Sequence, residues 1–506
     1  MNGRGGREGE ETYMKVSIDK SSKVPVYLQI ADQIKAQIIS GALPRSSALP
    51  SERALAQILD VHRNTVVKAY GELKSDAWIE SRQGVGYLVA SASTEKEPVG
   101  ESGEGVQMGR VNWVNEVADK YLDMEKTFDD LFQRFTDESH FSLGSGIASR
   151  EVYSSERVAH DIAGLLTGSG PSQYFFSPYK GDRFLRQKLA SFLGTKGVKA
   201  SSGEIQILSE TNQALDFIVT LLVKPGDSVV MEEPVHPDMY RVMELAGARI
   251  LTVPVDEDGM NCDVLESLLT QTRPRLIFVN SSFHDPTGCI LSLERRKKLV
   301  ELSSRYRIPI VEEDAASELV YDGDKLPPIK AFDTTGNVIY IYSFSLTFIP
   351  GLSLAFVTGN RDFVRALSYL VSVRLMASDW MTQKLLGMYL DDGSYYSSLA
   401  TFREIYSGNR DLVCQKLDAL AHLGVRYERP RGGVYVWCRL PDGVDSKHFI
   451  NRAYNMGVTL IPGYVFYPYK NGGRDYIRIN YSYESRERLA RGMDVLHKAL
   501  EEELEE

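Results

Sequence analysis

The stretch that decides the fold is "VIYIYSFSLTFIPGLSLAFVTG", residues 338–359, which opens on a run of β-branched and aromatic residues. Runs of the same strand-like kind occur upstream as "GDSVVMEEP" (226–234), "PRLIFVN" (274–280) and "IPIVEED" (308–314), with helical segments between them. Strands that alternate with helices along a chain form a parallel α/β sheet. From about Phe141 onward, the sequence therefore predicts an α/β domain with a mostly parallel sheet.

The length and composition of the chain restrict its class. Single hydrophobic cores stop growing near roughly 250–300 residues, so a chain of 506 residues should contain more than one domain. No apolar run approaches the roughly 18–20 residues of a membrane span, and the N-terminus lacks the apolar segment of a signal peptide. The four cysteines are scattered, without the paired spacing of a metal site. We expect a cytoplasmic protein with no metal site and no membrane partner.

Charge is unevenly distributed along the chain. The net charge is −10 at pH 7, yet residues 14–90 contain ten lysines and arginines against seven acidic residues. A basic module attached to an acidic body indicates that the two parts have different roles.

Residues 14–90 show the pattern of a winged helix-turn-helix. Apolar residues at helical spacing fill residues 24–39, and a segment rich in glycine and proline follows. Ser51 is the predicted N-cap of a second helix, and a third helix begins at Arg63 after a short turn. Residues 79–90, "IESRQGVGYLVA", alternate around two glycines as a β-hairpin does.

The segments "LPSERALAQILDVHRNTVVKAYGEL" (49–73) and "GVGYLV" (84–89) resemble the DNA-binding domain of the GntR family. The resemblance implies a double-stranded DNA partner, with the start of the third helix in the major groove. The residues assigned to this surface are Arg45, Ser51, Arg53, His62, Arg63, Asn64, Thr65, Lys68, Arg82 and Gly84. We expect Arg53, Arg63 and Lys68 to neutralise phosphates and His62 and Asn64 to reach base edges. The alternative is a solvated charged face on a small helical domain.

One residue departs from the family pattern at this surface. The family usually has serine where His62 stands, and histidine is a weaker helix cap.

Composition also sets the remaining boundaries. We expect residues 1–13 to be a disordered leader and residues 91–110, rich in Ser, Gly, Glu and Pro, to be a flexible linker. Residues 111–140 predict an amphipathic connecting helix, and residues 141–506 form the α/β domain.

Several segments resemble fold-type I aminotransferases in order and rough spacing. They are residues 179–193, 208–234, "DPTG" (285–288), "IVEEDAASELVYDG" (310–323), 338–359, "RPRGGVYVW" (429–437, expected to pack) and "YIRIN" (476–480). With its N-terminal domain, the whole chain resembles MocR-type members of the GntR family. That resemblance implies a homodimer whose body binds pyridoxal phosphate (PLP) and responds to an amine or amino acid.

Five features depart from the PLP-binding pattern that the resemblance supplies, and the first is that Ala315 and Ala316 stand where the pattern has a tyrosine. The lysine that would hold PLP covalently is Leu346, which offers no amine for a Schiff base. The arginine expected seven residues later, at the phosphate, is Ser353. Asp285 replaces the asparagine of the N-P-T-G motif, and Glu210 replaces the glycine before the phosphate-binding helix.

Other positions of the expected pocket are retained or ambiguous. Glu313 or Asp314 offers the carboxylate for the pyridine nitrogen, and His236 stands where an aromatic ring would stack. Arg478 matches the arginine that binds a substrate carboxylate, and its alternative partner is an internal acid such as Asp285. The expected pocket comprises Glu210, Thr211, Asn212, His236, Asp285, Glu313, Asp314, Ser343, Ser345, Leu346, Ser353 and Arg478.

The sequence thus predicts a winged helix fused to a fold-type I aminotransferase-like domain, acting as a homodimeric, sequence-specific DNA-binding regulator. We expect its second domain to dimerise and to sense an effector, such as a small amine or amino acid, without transaminase activity or a PLP cofactor. Glu210, Asp285, Glu313 and Asp314 would make the pocket floor acidic.

Four alternatives stay open. In the first alternative the body is only a dimerisation scaffold, and in the second it is an active aminotransferase. In the third a partner protein controls it, and in the fourth it holds PLP noncovalently through Ser343, Ser345, His236 and Arg478.

Overall fold

The computed structural model describes residues 16–18, 25–39, 42–44, 47–75, 78–82, 86–90, 134, 139–149, 151–168, 178–375 and 379–505. The chain divides into two compact units, Met1–Arg110 and Val111–Glu506. The expected leader and linker lie outside the described residues, as does most of the expected connecting helix.

The first unit is a winged helix-turn-helix, as the sequence predicts. Its elements are α1 (Val26–Ile39), α2 (Glu52–Ile58), α3 (Arg63–Ser75) and the antiparallel strands β1 (Ile79–Arg82) and β2 (Gly86–Val89). Ile30 and Ile34 of α1 pack with Leu55 of α2 and with Val66 and Leu73 of α3 in one buried cluster. The helical spacing of these apolar residues therefore builds the core that fixes α3 against its neighbours.

The second unit contains a large sheet. After β3 (Phe141–Ser142), its eight strands are β4 (Ile205–Leu208), β5 (Ser228–Glu233), β6 (Arg249–Asp256), β7 (Gly259–Met260), β8 (Ile277–Asn280), β9 (Ile310–Asp314), β10 (Val338–Ser343) and β11 (Ala355–Thr358). Their order is β4-β11-β10-β9-β8-β5-β6-β7. Neighbours from β10 to β6 pair in parallel, whereas β11 is antiparallel to β4 and β10, and β7 is antiparallel to β6. The predicted mostly parallel sheet is confirmed.

Helices of the second unit pack on both faces of this sheet, and the last two pack beside short strands outside it. They are α4 (Ser155–Gly168), α5 (Arg183–Thr195), α6 (Thr211–Leu222), α7 (Pro237–Leu245), α8 (Cys262–Gln271), α9 (Leu293–Tyr306), α10 (Arg361–Arg374), α11 (Trp380–Asp391), α12 (Ser394–Asp418), α13 (Ser446–Asn455) and α14 (Arg486–Glu505). Val229 and Met231 of β5 pack with α6 and α7, and Val230 packs on the other face with α8 and α9. Because both faces are buried, the strands read as continuous apolar runs.

A smaller sheet completes the unit. Its strands are β12 (Arg426–Tyr427), β13 (Tyr435–Arg439), β15 (Ile461–Pro462) and β16 (Tyr476–Asn480), in the antiparallel order β12-β13-β16-β15. The strand β14 (Val458–Thr459) pairs in parallel with β3. None of the described helices is both long and apolar enough to cross a membrane.

A fully buried arginine holds together the loops near one edge of the large sheet. Arg296 of α9 has an exposed fraction of 0%. Its guanidinium donates to the carbonyl oxygens of Leu291 at 2.8 Å, Pro327 at 2.9 Å and Ser281 at 2.5 Å, and to the hydroxyl of Ser282 at 3.1 Å. Ser281 and Ser282 directly follow β8, so this side chain fixes the path of the chain as it leaves the sheet.

We expect Arg296→Met to destabilise the protein strongly. Methionine is similar in length but donates no hydrogen bond, so buried carbonyl groups lose their partner, at a cost of about 3–5 kcal/mol. Thermal unfolding followed by circular dichroism measures this loss. Lys297→Met is the matched control, because Lys297 is the next residue of the same helix and is exposed. Equal unfolding midpoints for the two variants would contradict the role assigned to Arg296.

Candidate functional site

A cavity opens at the carboxyl ends of the parallel strands β8, β9 and β10. Its volume is about 730 Å³, counting the space open to solvent. It is lined by Gly146, Thr211, Asn212, His236, Met239, Asn280, Ser282, Phe283, Asp285, Glu313, Ala315, Ala316, Ser345, Leu346, Val434 and Tyr435. Ligands of open α/β sheets bind at this end of the strands, so the fold itself places the candidate site here.

Seven of the twelve residues expected in the pocket line this cavity. They are Thr211, Asn212, His236, Asp285, Glu313, Ser345 and Leu346. The side chain of Leu346 is 6% exposed and belongs to the hydrophobic core cluster. The position that holds the cofactor lysine in the family pattern is therefore an apolar wall of the cavity.

The remaining five expected residues do not line the cavity. Glu210 and Ser353 are exposed. Ser343 is buried, and its hydroxyl accepts the backbone N–H of Ser345 at 3.2 Å. Asp314 and Arg478 are buried and bonded to other residues. The expected acidic floor of four carboxylates is wrong: only Asp285 and Glu313 reach the cavity.

Arg478 pairs with an acid of its own chain rather than facing the cavity as a free cation. Its Nη1 lies 2.7 Å from each carboxylate oxygen of Asp285, and its Nη2 donates to the carbonyl oxygen of Gly144 at 2.9 Å. The guanidinium carbon lies 4.2 Å from the ring centre of Tyr435. Of the two alternatives for Arg478, the structure favours the internal pair.

The strand β9 ends in three acidic residues that point to alternate faces of the sheet. Asp314 accepts from the hydroxyl of Tyr340 at 2.6 Å and lies 3.8 Å from the Nζ of Lys196, away from the cavity. Glu313 lines the cavity and accepts a hydrogen bond from the side-chain amide of Asn280. Of the two candidate carboxylates, Glu313 is the cavity residue.

Burial sets the charge state of Glu313. Burial and, after it, the nearby carboxylates Asp314 and Asp285 together raise the pKa of this carboxyl to about 8, against the hydrogen bond from Asn280. At pH 7 the carboxyl is therefore mostly protonated.

A second buried pair lies behind Glu313. Glu232 accepts the backbone N–H of Asn280 at 2.7 Å, and the Nε2 of His284 lies 3.6 Å from the same carboxyl oxygen. Burial raises the pKa of Glu232 to about 8 and lowers the pKa of His284 to about 4. Both groups are mainly neutral at pH 7, so they support Asn280 without adding charge to the site.

The surface predicted to face DNA is built around the start of α3. Ser51 caps α2 by accepting the backbone N–H of Ala54 at 3.3 Å. The Nδ1 of His62 accepts the backbone N–H of Asn64 at 3.2 Å, so the histidine does cap α3. Thr65 is half-buried. The other described residues assigned to this surface are exposed: Ser51, Arg53, His62, Arg63, Asn64 and Lys68. Arg45, Gly84 and the side chain of Arg82 lie outside the described part of the chain.

Two residues of this surface were missed in the sequence. Glu52 accepts from Arg63, whose Nη2 lies 2.8 Å and Nε 3.2 Å from one carboxylate oxygen, and from the hydroxyl of Tyr87 in β2 at 3.0 Å. The Arg63 guanidinium lowers the pKa of Glu52. No periodic pattern links a residue to partners 11 and 35 positions away, so the sequence carried no signal for this contact.

Tyr435 and Asn280 are two of the nine cavity-lining residues that the expected pocket did not include. Tyr435 belongs to the segment "RPRGGVYVW", whose match to the family was interpreted as packing. Asn280 ends the strand β8, and a polar residue at the carboxyl end of a predicted parallel strand was the signal available.

Comparisons with known proteins agree with both parts of the chain. The model of class I and II aminotransferases matches residues 139–496, and the model of bacterial regulatory proteins of the gntR family matches residues 26–89. The probable rhizopine catabolism regulatory protein MocR of Rhizobium meliloti is 28% identical over 88% of this chain and 88% of its own. The chain belongs to the class I and II aminotransferase family and carries a gntR-family domain at its N-terminus.

Other relatives cover the chain almost fully or cover its second unit. The uncharacterized HTH-type transcriptional regulator YisV of Bacillus subtilis is 28% identical over 94% of this chain and 96% of its own. A crystal structure of Pyrococcus horikoshii kynurenine aminotransferase, in complex with PMP, covers 78% of this chain and 98% of its own at 27% identity and a TM-score of 0.73. The protein is a DNA-binding regulator fused to an aminotransferase-like domain.

PLP is the cofactor that this fold implies, and the residues of the cavity offer it neither a covalent attachment nor a cation for its phosphate. PLP requires an amine for covalent attachment and positive charge or aimed donors for its phosphate. Among the described residues that line the cavity, none is lysine or arginine. The guanidinium of Arg478, which the family pattern also has, is paired with Asp285.

Glu313→Gln should flatten the dependence of stability on pH. The pKa of Glu313 is about 8 in the folded protein against 4.5 for the free group, so between these values the folded state holds the extra proton and stability falls as pH rises. One such proton is worth about 1.4 kcal/mol per pH unit. Glutamine does not titrate, so the variant should lose less thermal stability than the wild type between about pH 5 and pH 8.

Unfolding midpoints by scanning fluorimetry across this pH range measure the difference. Glu257→Gln is the control, because Glu257 is an exposed carboxylate outside the cavity. Parallel pH profiles for the wild type and Glu313→Gln would show that Glu313 is ionised in the folded state.

Proposed function

We propose that this protein is a homodimeric, sequence-specific transcriptional regulator whose aminotransferase-like domain joins two subunits and senses a small effector without transaminase activity. The observation that carries the proposal is Leu346 in the wall of the cavity, where an aminotransferase needs a lysine. The pairing of Arg478 with Asp285 supports it, because a substrate carboxylate finds no free arginine there.

The first unit supports the DNA-binding part of the proposal. The start of α3 exposes Arg63 and Asn64, and a recognition helix inserts its N-terminal residues into the major groove. Arg53 at the start of α2 is exposed beside it, where it would neutralise a phosphate. A two-fold dimer would read paired half-sites and would double these contacts. A DNA partner places the protein in the cytoplasm.

A second candidate is a regulator that holds PLP noncovalently. Thr211 in the first turn of α6 and Ser345 both line the cavity, and their hydroxyl groups would suit a phosphate. This candidate differs from the first in one measurable respect, the retention of PLP by the wild-type protein.

Arg53→Ala and Arg63→Ala should weaken DNA binding and reduce its salt dependence. Each phosphate contact contributes about 0.9 to the slope of log affinity against log salt, so each variant should lose about one such unit. Arg63→Ala should lose more affinity than Arg53→Ala, because it leaves the Glu52 carboxylate unpaired beside the DNA. Fluorescence anisotropy of labelled promoter DNA at several salt concentrations gives both quantities.

Arg365→Ala is the matched control for these titrations. Arg365 lies on α10 of the second unit, and its side chain is 80% exposed and pairs with Asp362 at 3.1 Å. If Arg53→Ala has the same slope of log affinity against log salt as this control, Arg53 does not contact a phosphate of the DNA.

Added PLP should leave the wild-type protein unmodified. Since Leu346 supplies no amine, PLP should keep its free absorbance spectrum, dialysis should remove it, and amino acids should undergo no transamination. Leu346→Lys places an amine in the cavity, so borohydride reduction should attach PLP covalently to the introduced lysine, and only in that variant. Stoichiometric PLP on a lysine of the wild type would overturn the proposal, and PLP retained through dialysis would favour the second candidate.

A further inference from the structure

The two carboxyl groups of the cavity differ in their surroundings, because Asp285 is paired with a cation and Glu313 is not. Asp285 is held by Arg478, and the second guanidinium nitrogen of Arg478 is bonded to the Gly144 carbonyl oxygen. A ligand carboxylate would have to break this buried pair to reach the arginine. The cavity therefore disfavours the α-carboxylate that amino acids carry.

Glu313 and Asn280 form a hydrogen-bond acceptor site on the same wall. Glu313 is 7% exposed, and its side chain accepts from the Asn280 amide. The oxygen of the same side-chain amide, Asn280 Oδ1, is buried and has no hydrogen-bond partner in the structure. A buried acceptor without a donor costs free energy, so a ligand that brings donors to this place gains from both residues.

The remaining walls are apolar or aromatic. Leu346 closes one side together with the small side chains of Ala315 and Ala316, and the rings of Phe283 and Tyr435 also line the space. Aromatic rings attract a cation through their faces, and small side chains leave room for a hydrocarbon body. These walls suit an organic cation better than a polar anion.

We propose that the cavity binds a small primary amine that lacks a carboxylate, with its ammonium group donating to Glu313 and Asn280. Asp285 then acts as a specificity determinant, because by holding Arg478 it excludes the corresponding α-amino acids. The inference rests on the proposed function and names the chemical class of the effector.

Binding of an ammonium should release a proton. The carboxyl of Glu313 is mainly protonated at pH 7 because it is buried and faces other carboxyl groups: Asp314 and Glu312 on β9, Glu232 on β5 and Asp285 after β8. An ammonium ion stabilises the carboxylate form. The proton of Glu313 then passes to solvent as the ion pair forms.

Matched pairs of probes test the selectivity on the full-length protein. Phenethylamine is compared with phenylalanine, isoamylamine with leucine, and 1,5-diaminopentane with lysine, by isothermal titration calorimetry. At least one amine should bind, about tenfold or more tightly than its amino acid. Titrations in two buffers of different ionisation enthalpy should show release of up to one proton per bound amine.

Three variants assign the roles. Glu313→Gln should weaken amine binding about tenfold or more and abolish proton release, whereas Glu257→Gln should behave as the wild type. Asp285→Asn should free Arg478 and shift the preference toward the amino acid of each pair. The double change Asp285→Asn with Arg478→Gln removes the unpaired buried cation, and it should lose the amino-acid binding that Asp285→Asn gains.

The inference is overturned if no amine binds, if wild-type protein prefers the amino acids, if amines bind only with added PLP, or if Glu313→Gln binds amines as the wild type does. Anisotropy with promoter DNA separates this failure from failure of the proposed function. DNA binding without amine binding overturns the inference alone, and absence of DNA binding overturns the proposed regulator whatever the calorimetry shows.

Discussion

The buried ion pair between Asp285 and Arg478 is the interaction on which the cavity wall of the second domain depends. Arg478 is 2% exposed, and a buried guanidinium without a counter-ion would be very costly. Asp285 supplies the counter-ion from the loop after β8, while Arg478 comes from β16 of the smaller sheet. The pair therefore joins the two sheets and consumes the charge that an aminotransferase would offer to its substrate.

The three consecutive acids at the end of β9 show how the same residue type acquires different roles. Glu312 accepts from the Ser281 hydroxyl at 2.7 Å and from the backbone N–H groups of Ile329 at 2.7 Å and Lys330 at 2.8 Å, and it holds the loops beneath the sheet. Asp314 joins the buried contacts of Tyr340 and Lys196. Only Glu313 points to the cavity, where burial rather than pairing governs its charge. Strand periodicity separates these roles, and burial on both faces makes each of them costly to change.

The elements of the fold could be predicted from the sequence, because local patterns determine them. Apolar spacing located α1 and α3, the Ser51 cap located the start of α2, and the apolar runs located the parallel strands. The position of Leu346 followed from its place just after β10. The direction of a side chain was harder to predict than the element that carries it. Glu210 precedes α6 with an extended backbone, at φ −162° and ψ 172°, and its side chain is exposed rather than in the cavity. The pairing of Arg478 with Asp285 joins residues 193 positions apart, a distance at which no local pattern operates.

The carboxylate of Glu52 has a consequence for how the DNA-facing surface can evolve. It accepts from Arg63 at the start of the recognition helix and from Tyr87 in the wing. The recognition helix and the wing, which would enter neighbouring grooves, thus both bond to the side chain of Glu52, and a change in the orientation of either one affects this shared contact. On the proposed DNA interface, a substitution of Arg63 would leave Glu52 bonded to the wing without its partner on the recognition helix, so a change of target site through Arg63 would favour a second substitution at Glu52 or Tyr87.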